Sequence, residues 1–245
     1  MHREIQRVLR EGFPTLFEIK DSYNGSRTVT EMGVGEGWAE LLISAASVVV
    51  GHEEALRVPL DSRTQIREIS EKYGELRVSF HQFADLFCYD VFSYAEWLSG
   101  SLCELCGYPG RIATSKFGWR KTLCTDCADA RPYGQQWRLR PFSDAEQAQG
   151  CANVLQCELQ QLQLTAKQEA AVLAYAEYLV GAFTKRDAFR ERIGQDGPKI
   201  NRISIVAPEG VPEFKTNFPA DASEENIAAV ALTQFFCAHT AWRTW

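Results

Sequence analysis

The spacing of hydrophobic residues predicts most of the secondary structure in the first half of the chain. Between residues 84 and 102, apolar side chains recur every three or four positions, as on one face of an α-helix. The stripe consists of Phe87, Val91, Tyr94, Ala95, Leu98 and Leu102, widened by Phe92 and Trp97. We therefore expect a buried helix that leads directly into Cys103.

Similar spacing predicts three more helices before residue 84. Residues 2–11 have an amphipathic pattern, and an apolar segment covers residues 38–50. In residues 64–73, Ile66 and Ile69 are three positions apart, which is typical of one helix face, and Gly74 follows as a stop signal.

Alternation of apolar and polar residues predicts the strands. Residues 75–81 (ELRVSFH) alternate strictly, which is typical of a half-buried strand. Residues 13–20 and 27–32 flank an Asn-Gly turn signal and are expected to form a hairpin. The glycine-rich stretch MGVGEGW (32–38) lacks the Lys-Ser/Thr of a phosphate-binding loop, so we interpret it as a turn before a helix.

The second half is predicted to be mainly helical. Helices over 143–164 and 165–193 would form a helical hairpin, and Thr165 and Gln168 have the spacing of a capping box at the start of the second. Residues 199–207 alternate like a strand, with 211–218 as a partner, and Ser223 opens a last helix.

These elements predict an α+β fold in three parts. The parts are an α+β module (1–102), a segment of two cysteine pairs with an aromatic and basic linker (103–141), and a mainly helical domain (142–245). We find no internal repeat.

The composition is that of an ordinary soluble protein. The chain has 245 residues, of which 45% are hydrophobic and 24% are charged, with a net charge of −6. No apolar run is long enough to span a bilayer, and the charged N-terminus lacks the features of a secretory signal, so we expect a cytoplasmic protein. Charge is uneven: residues 103–141 carry 7 basic and 3 acidic side chains, between two acidic flanks.

Four of the eight cysteines form a metal-binding pattern. Cys103, Cys106, Cys124 and Cys127 make two Cys-x-x-Cys pairs separated by seventeen residues, a spacing typical of zinc sites. Short strands at RIAT and WRKTL would place a hairpin between the pairs. We therefore predict a zinc ribbon with one structural Zn²⁺, in which four thiolates leave no open coordination position.

Other uses of the cysteines are less consistent with the pattern. A redox centre would have one Cys-x-x-Cys at a helix start in a βαβ unit, and the His-x-Glu of zinc deaminases is missing. Cys151, Cys157, Cys237 and His239 could form a second metal site, but their spacing matches no known pattern, and buried separate residues are the simpler interpretation.

Residues 33–128 resemble a widespread set of uncharacterised bacterial and phage-borne proteins. The shared elements are GEGW (35–38), EKYGELRVSF (71–80), a helix, and the segment CELCGYPG…GWRKTLCTDCA, in which relatives often have His at position 127. The resemblance implies a small α+β module with zinc and implies no activity. Its phage setting implies interaction with a host complex, such as inhibition of a bacterial defence system.

Three functions remain open at this stage. The first is a non-enzymatic binding protein, with Trp242 and Trp245 either docked on their own core or bound to a protein partner. The second is nucleic-acid binding through a set of cations and tryptophans. That set is Arg111, Lys116, Trp119, Arg120, Lys121, Arg131, Trp137, Arg138 and Arg140. The third is an enzyme without a recognisable motif, for which His52 beside Glu53 and Glu54 is the nearest candidate, although a charged helix end explains these residues better.

Overall fold

The computed structural model has the predicted α+β class. It describes residues 1, 3–20, 27–140, 165–168, 171, 203–206, 213–216, 228–233 and 235–236. The labelled helices are α1 (Arg3–Gly12), α2 (Pro14–Phe17), α3 (Ala39–Ala55), α4 (Leu86–Ser99) and α5 (Thr125–Asp129). The strands are β1 (Glu18–Lys20), β2 (Arg27–Val29), β3 (Glu31–Gly33), β4 (Gln65–Lys72), β5 (Glu75–Gln82), β6 (Arg111–Ser115), β7 (Arg120–Leu123), β8 (Trp137–Leu139), β9 (Ile203–Val206) and β10 (Glu213–Thr216).

A three-stranded sheet and two helices form the main core. Strand β4 lies in the middle of this sheet, parallel to β3 and antiparallel to β5. Helices α3 and α4 pack against each other, and α4 packs on β5. Their facing side chains are completely buried, which is the main source of stability in a domain of this size. They include Leu41, Ala45, Val49, Ile66, Ile69, Val91, Ala95 and Leu98.

The prediction of a helix over residues 64–73 is wrong, because this segment is strand β4. The pairing with β5 slips between Ile66 and Glu68, so that a β-bulge places one extra residue in β4. The bulge turns Ile66 and Ile69 to the same buried side, although they are three positions apart. Gly74 does not end a helix: with Tyr73 it forms a two-residue turn in which both residues have positive φ, at 60° and 90°.

The other predicted elements of the first half are confirmed, with shifted ends. Helix α1 covers the first amphipathic segment, and the helix expected over 38–50 is α3. Strands β1 and β2 pair antiparallel as the expected hairpin, although Pro14–Phe17 before them is a helical turn.

Asp85 is the N-terminal capping residue of helix α4. The Asp85 carboxylate accepts a hydrogen bond from the Cys88 amide at 3.0 Å, which satisfies one free N–H of the first turn. The helix ends at Ser99, and the buried Leu102 follows in an isolated bridge to Pro109. Trp97, which we expected to widen the buried stripe, is 48% exposed and lies at the edge of the core.

Described parts of the second half pack on this core. Ala171, Ala228, Leu232 and Phe236 are buried in the same hydrophobic cluster as α3 and α4. The Thr233 hydroxyl donates to the Tyr94 hydroxyl at 3.0 Å, in a buried contact between the two halves. The predicted domain boundaries at residues 102 and 142 stay a prediction.

Two local predictions in the second half are confirmed. Thr165 and Gln168 exchange the two hydrogen bonds of a capping box, at 2.8 and 3.3 Å. Strands β9 and β10 pair antiparallel, as expected for 199–207 and 211–218. The helical hairpin over 143–193 lies outside the described residues, apart from 165–168 and 171.

Trp38 connects the start of α3 to the end of the α4 segment. Its ring is completely buried, and its indole N–H donates to the Leu102 carbonyl at 2.8 Å. Leu102 directly precedes Cys103, so this contact fixes the direction in which the chain enters the cysteine segment.

Replacing Trp38 by Phe tests this connection. The substitution keeps a large apolar ring but leaves the buried Leu102 carbonyl without its donor, at a cost of about 1–3 kcal/mol in the free energy of unfolding. Urea denaturation measures this difference. Trp119→Phe is the matched control: Trp119 is 64% exposed, and we expect a change within about 0.5 kcal/mol. Equal stability of the W38F protein and the wild type would contradict the prediction.

Candidate metal centre

The first cysteine pair lies in a tight turn directly after α4. The Cys103 amide donates to the Tyr108 carbonyl at 2.7 Å, and the Gly107 amide donates to the Cys103 carbonyl at 2.8 Å. Gly107 has a φ of +73°, which closes the turn and favours glycine. The turn thus holds Cys103 and Cys106 on one side of the backbone.

The second pair lies between β7 and α5. Cys124 caps α5: its sulfur accepts from the Cys127 amide at 3.4 Å, and its carbonyl accepts from the Ala128 amide at 3.0 Å. The hairpin of β6 and β7 brings this pair back to the first one, as the spacing predicted. Strand β8 adds a third strand to this sheet, within the segment that we predicted to be an aromatic and basic linker.

The four sulfurs converge on one point. One ligand atom from each of Cys103, Cys106, Cys124 and Cys127 lies within 4.8 Å of the others, and the Cys106 and Cys124 sulfurs are 3.6 Å apart. A tetrahedral site with metal–sulfur bonds near 2.3 Å needs sulfur separations of about 3.8 Å. The four cysteines therefore lie close enough to bind one metal ion.

The thiols differ in environment. Cys103 is completely buried, Cys106 is exposed, and the other two lie between these extremes. Although Cys106 is exposed as a residue, local desolvation of its sulfur beside the other thiols raises its pKa to about 11. Burial also acts against ionisation of Cys124, but hydrogen bonds from the Cys127 amide and from the neighbouring thiols lower its pKa overall. One thiolate is thus stabilised by its neighbours, and metal binding would release the protons of the others.

The glycines of GEGW let another segment approach the first cysteine turn. The Gly37 amide donates to the Glu104 carbonyl at 2.8 Å. A β-carbon on Gly37 would lie 2.1 Å from the Cys103 carbonyl oxygen, and one on Gly35 would lie 2.1 Å from that of Glu104. The glycines are therefore needed for backbone contact with the metal-binding turn, in agreement with a turn before a helix.

A partly buried ion cluster joins the cysteine segment to the main sheet. The Lys121 ammonium lies 2.7 Å from a Glu71 oxygen and 2.8 Å from a Glu104 oxygen. Burial lowers the pKa of Lys121, but its hydrogen bonds to Glu104 and Glu71 outweigh burial and raise that pKa overall. Nearby, the Glu104 amide donates to the Thr122 carbonyl at 2.9 Å. Lys121 belongs to the residue set of the alternative nucleic-acid hypothesis, but its ammonium is already paired within the protein.

The other predicted surface residues have mixed environments. Lys116, Trp119 and Arg120 are exposed at the β6–β7 turn, as is Phe117, which the predicted set did not include. Trp137 is partly buried on the small core of the ribbon, and its indole N–H donates to the Pro132 carbonyl at 3.0 Å. Arg111 and Arg140 already have partners, whereas Arg138 is exposed. The predicted residues outside the described part are Cys151, Cys157, Cys237, His239, Trp242 and Trp245.

Sequence reasoning missed the residues that hold the cysteine turn in place. Gly35, Gly37 and Trp38 contact the turn or the residue before it, but none of their side chains is a metal ligand. The signal that could have found them is the alternation of glycines just before a tryptophan, which is typical of close backbone packing.

Comparisons with protein-family models, with curated proteins and with solved structures give no match for this chain. Within the described residues, no helix has the length and apolar character that crossing a membrane requires.

Replacing Gly37 by Ala tests the backbone contact. The new β-carbon would overlap the Cys103 carbonyl oxygen and the Gly107 amide nitrogen, so one segment must move. We expect the free energy of unfolding to fall by about 1–3 kcal/mol, as for an overpacked core, and the metal affinity of the four cysteines to fall with it.

Gly51→Ala provides the control for this experiment. Gly51 lies inside α3, and a β-carbon there meets no atom within 4 Å. Alanine is the better helix former, so this protein should gain roughly 0.5–1 kcal/mol. Urea denaturation and a competitive metal titration measure both variants. A G37A protein as stable as G51A would show that the close contact is not needed.

Proposed function

We propose that this chain is a non-enzymatic binding protein in which Cys103, Cys106, Cys124 and Cys127 hold a structural Zn²⁺. The convergence of four sulfurs supports this proposal, because thiolates at this spacing favour zinc. Four protein ligands complete a tetrahedron and leave no position for a substrate. The ion would then stabilise the ribbon, and recognition would fall to the ribbon's surface.

The observation that carries the binding role is an exposed aromatic pair at the tip of the ribbon. Phe117 is 66% exposed and Trp119 is 64% exposed, on the turn between β6 and β7. The Lys116 ammonium lies 4.8 Å from the centre of the Phe117 ring. Large aromatic side chains on a rigid turn are typical anchors of protein interfaces, where tryptophan is enriched.

We propose a protein as the partner. The resemblance to phage-borne proteins leads us to expect a protein complex of the bacterial host, for example one of its defence systems. The zinc ion would hold the turn in one conformation before binding, which reduces the entropy lost on association.

Nucleic acid is a second candidate partner, favoured by a different observation. A cleft of about 860 Å³ beside β6 and β8 is lined by Lys116, Arg131, Arg138 and Trp137, with Asp129 as its acidic residue. Within the described residues these three cations form no ion pair. Unpaired cations beside an aromatic ring could contact phosphates and a base of a single strand.

Zinc content and chelation test the structural role of the ion. Cys106 is exposed, so Cys106→Ser changes little packing, and we expect one fewer zinc per chain by native mass spectrometry. A strong chelator should unfold this segment and make the paired strands β6 and β7 susceptible to protease, and added zinc should restore protection. Unchanged zinc content in the C106S protein, or a ribbon that stays protected without metal, would contradict the proposal.

Substitution of the aromatic pair tests the partner. The full chain serves as bait in a host lysate, with Trp119→Ala and Phe117→Ala as variants and Leu60→Ala as a control, since Leu60 is also exposed, at 67%. Loss of an interface anchor costs about 2 kcal/mol or more, so the captured partner should decrease roughly thirtyfold with W119A and stay constant with L60A.

The same proteins distinguish the two partner classes. If the wild type captures no protein but binds single-stranded DNA or RNA, and its affinity falls steeply with salt, the nucleic-acid candidate replaces the first one. Arg138→Ala should then weaken binding and reduce the salt dependence. If neither a protein nor a nucleic acid binds, the proposed binding role is wrong.

A further inference from the structure

The adjoining ends of α3 and α4 bring together a second set of metal-binding side chains. His52 lies in the last turn of α3, Asp85 caps α4, and Cys88 lies in the first turn of α4. The His52 Nε2 and Asp85 Oδ2 atoms are 2.8 Å apart. One ligand atom from each of the three residues lies within 4.8 Å of the other two, although the residues are far apart in sequence.

This set is partly buried and has a path to solvent. Cys88 is completely buried, whereas the side chains of His52 and Asp85 are 26% and 36% exposed. Glu53 lies behind the thiol, with Oε1 3.9 Å from the Cys88 sulfur. Glu53 lies in the last turn of α3, at the charged helix end inferred from the sequence, and its side chain is buried there, with only 1% exposed. The side chains thus form a polar site that is closed by the core and open on one side.

We propose that His52, Asp85 and Cys88 form a second metal site, for a divalent transition metal such as Zn²⁺. An imidazole nitrogen, a thiolate and a carboxylate oxygen are the donors that zinc takes, whereas Mg²⁺ and Ca²⁺ require a set of oxygens. Bonds of about 2.0–2.3 Å place ligand atoms roughly 3.3–3.8 Å apart. The distance between His52 Nε2 and Asp85 Oδ2 would increase by about half an ångström on metal binding. The Cys88 sulfur would come within the same range of both atoms.

The helix cap does not compete with this role. Asp85 Oδ1 accepts from the Cys88 amide, and this leaves Oδ2 for a metal. Glu53 Oε1 accepts a hydrogen bond from the Thr64 amide at 2.6 Å. This oxygen therefore links α3 to the residue before β4, and we do not include it among the metal ligands. Three protein ligands would therefore bind the ion, with water in the fourth position on the exposed side.

Zinc binding by the full chain tests the site. We expect native mass spectrometry after titration with zinc to find two ions per chain in the wild type, and one each in the Cys106→Ser and His52→Ala proteins. His81→Ala is the matched control, because His81 is an exposed histidine on β5. Asp85→Asn should keep the helix cap, since Asn is an equally good capping residue, and should weaken the second ion at least tenfold.

Cobalt substitution separates this site from the four-cysteine site. Co²⁺ bound by four thiolates absorbs much more strongly in the sulfur-to-metal charge-transfer band than Co²⁺ bound by one, so H52A should remove only the weaker contribution and C106S the stronger. Circular dichroism checks that each variant is folded. A wild type with one ion, or a second ion that persists in H52A and in Cys88→Ala, would overturn the proposal. Both results would leave the four-cysteine site unaffected.

Discussion

Close backbone contact between the Gly35–Gly37 segment and the first cysteine turn is the constraint on which the rest of the structure depends. Gly37 donates to the Glu104 carbonyl, and no β-carbon fits between the two segments. The next residue, Trp38, holds the Leu102 carbonyl. The residues at the start of α3 thus fix both ends of the short stretch from Leu102 to Glu104, which attaches the four-cysteine cluster to the main core. A metal ion that orders the cysteine turn would also order the backbone that Gly37 and Trp38 contact at the start of α3.

The ion cluster around Lys121 is a second connection between the cysteine segment and the main core. Glu71 belongs to β4, Glu104 to the cysteine turn and Lys121 to β7, so one ammonium joins three segments. Such a partly buried cluster adds little net stability, because desolvation of the charges offsets their attraction. Arrangements that leave one of these charges unpaired are costly. Its main effect is to select one orientation of the ribbon on the sheet. The exposed tip with Phe117 and Trp119 then projects from a fixed base, as an interface anchor requires.

Local sequence patterns predicted the features that depend on residues close together in the chain. They did not predict features that depend on contacts between distant segments. The cysteine spacing predicted the convergence of four sulfurs, and the capping box at Thr165 predicted its hydrogen bonds, because both are set within a few residues or one hairpin. The spacing of Ile66 and Ile69 predicted a helix wrongly, because a β-bulge places residues three positions apart on the same side of a strand. Lys121 looked like a surface cation because its two carboxylate partners lie elsewhere in the chain.

The two metal-binding clusters would use the same kind of ion in different ways. Four thiolates would exclude water from an ion in the first cluster, as in a site that only stabilises the fold. At the second, the three donors come from two helix ends that the core already positions, so the fold does not depend on the ion there. Occupancy of such a site would follow the zinc concentration around the protein, because binding would add stability without being required for folding. Since α4 leads through Leu102 into the cysteine turn, an ion at its N-terminal end would stabilise the helix that supports the ribbon at its other end.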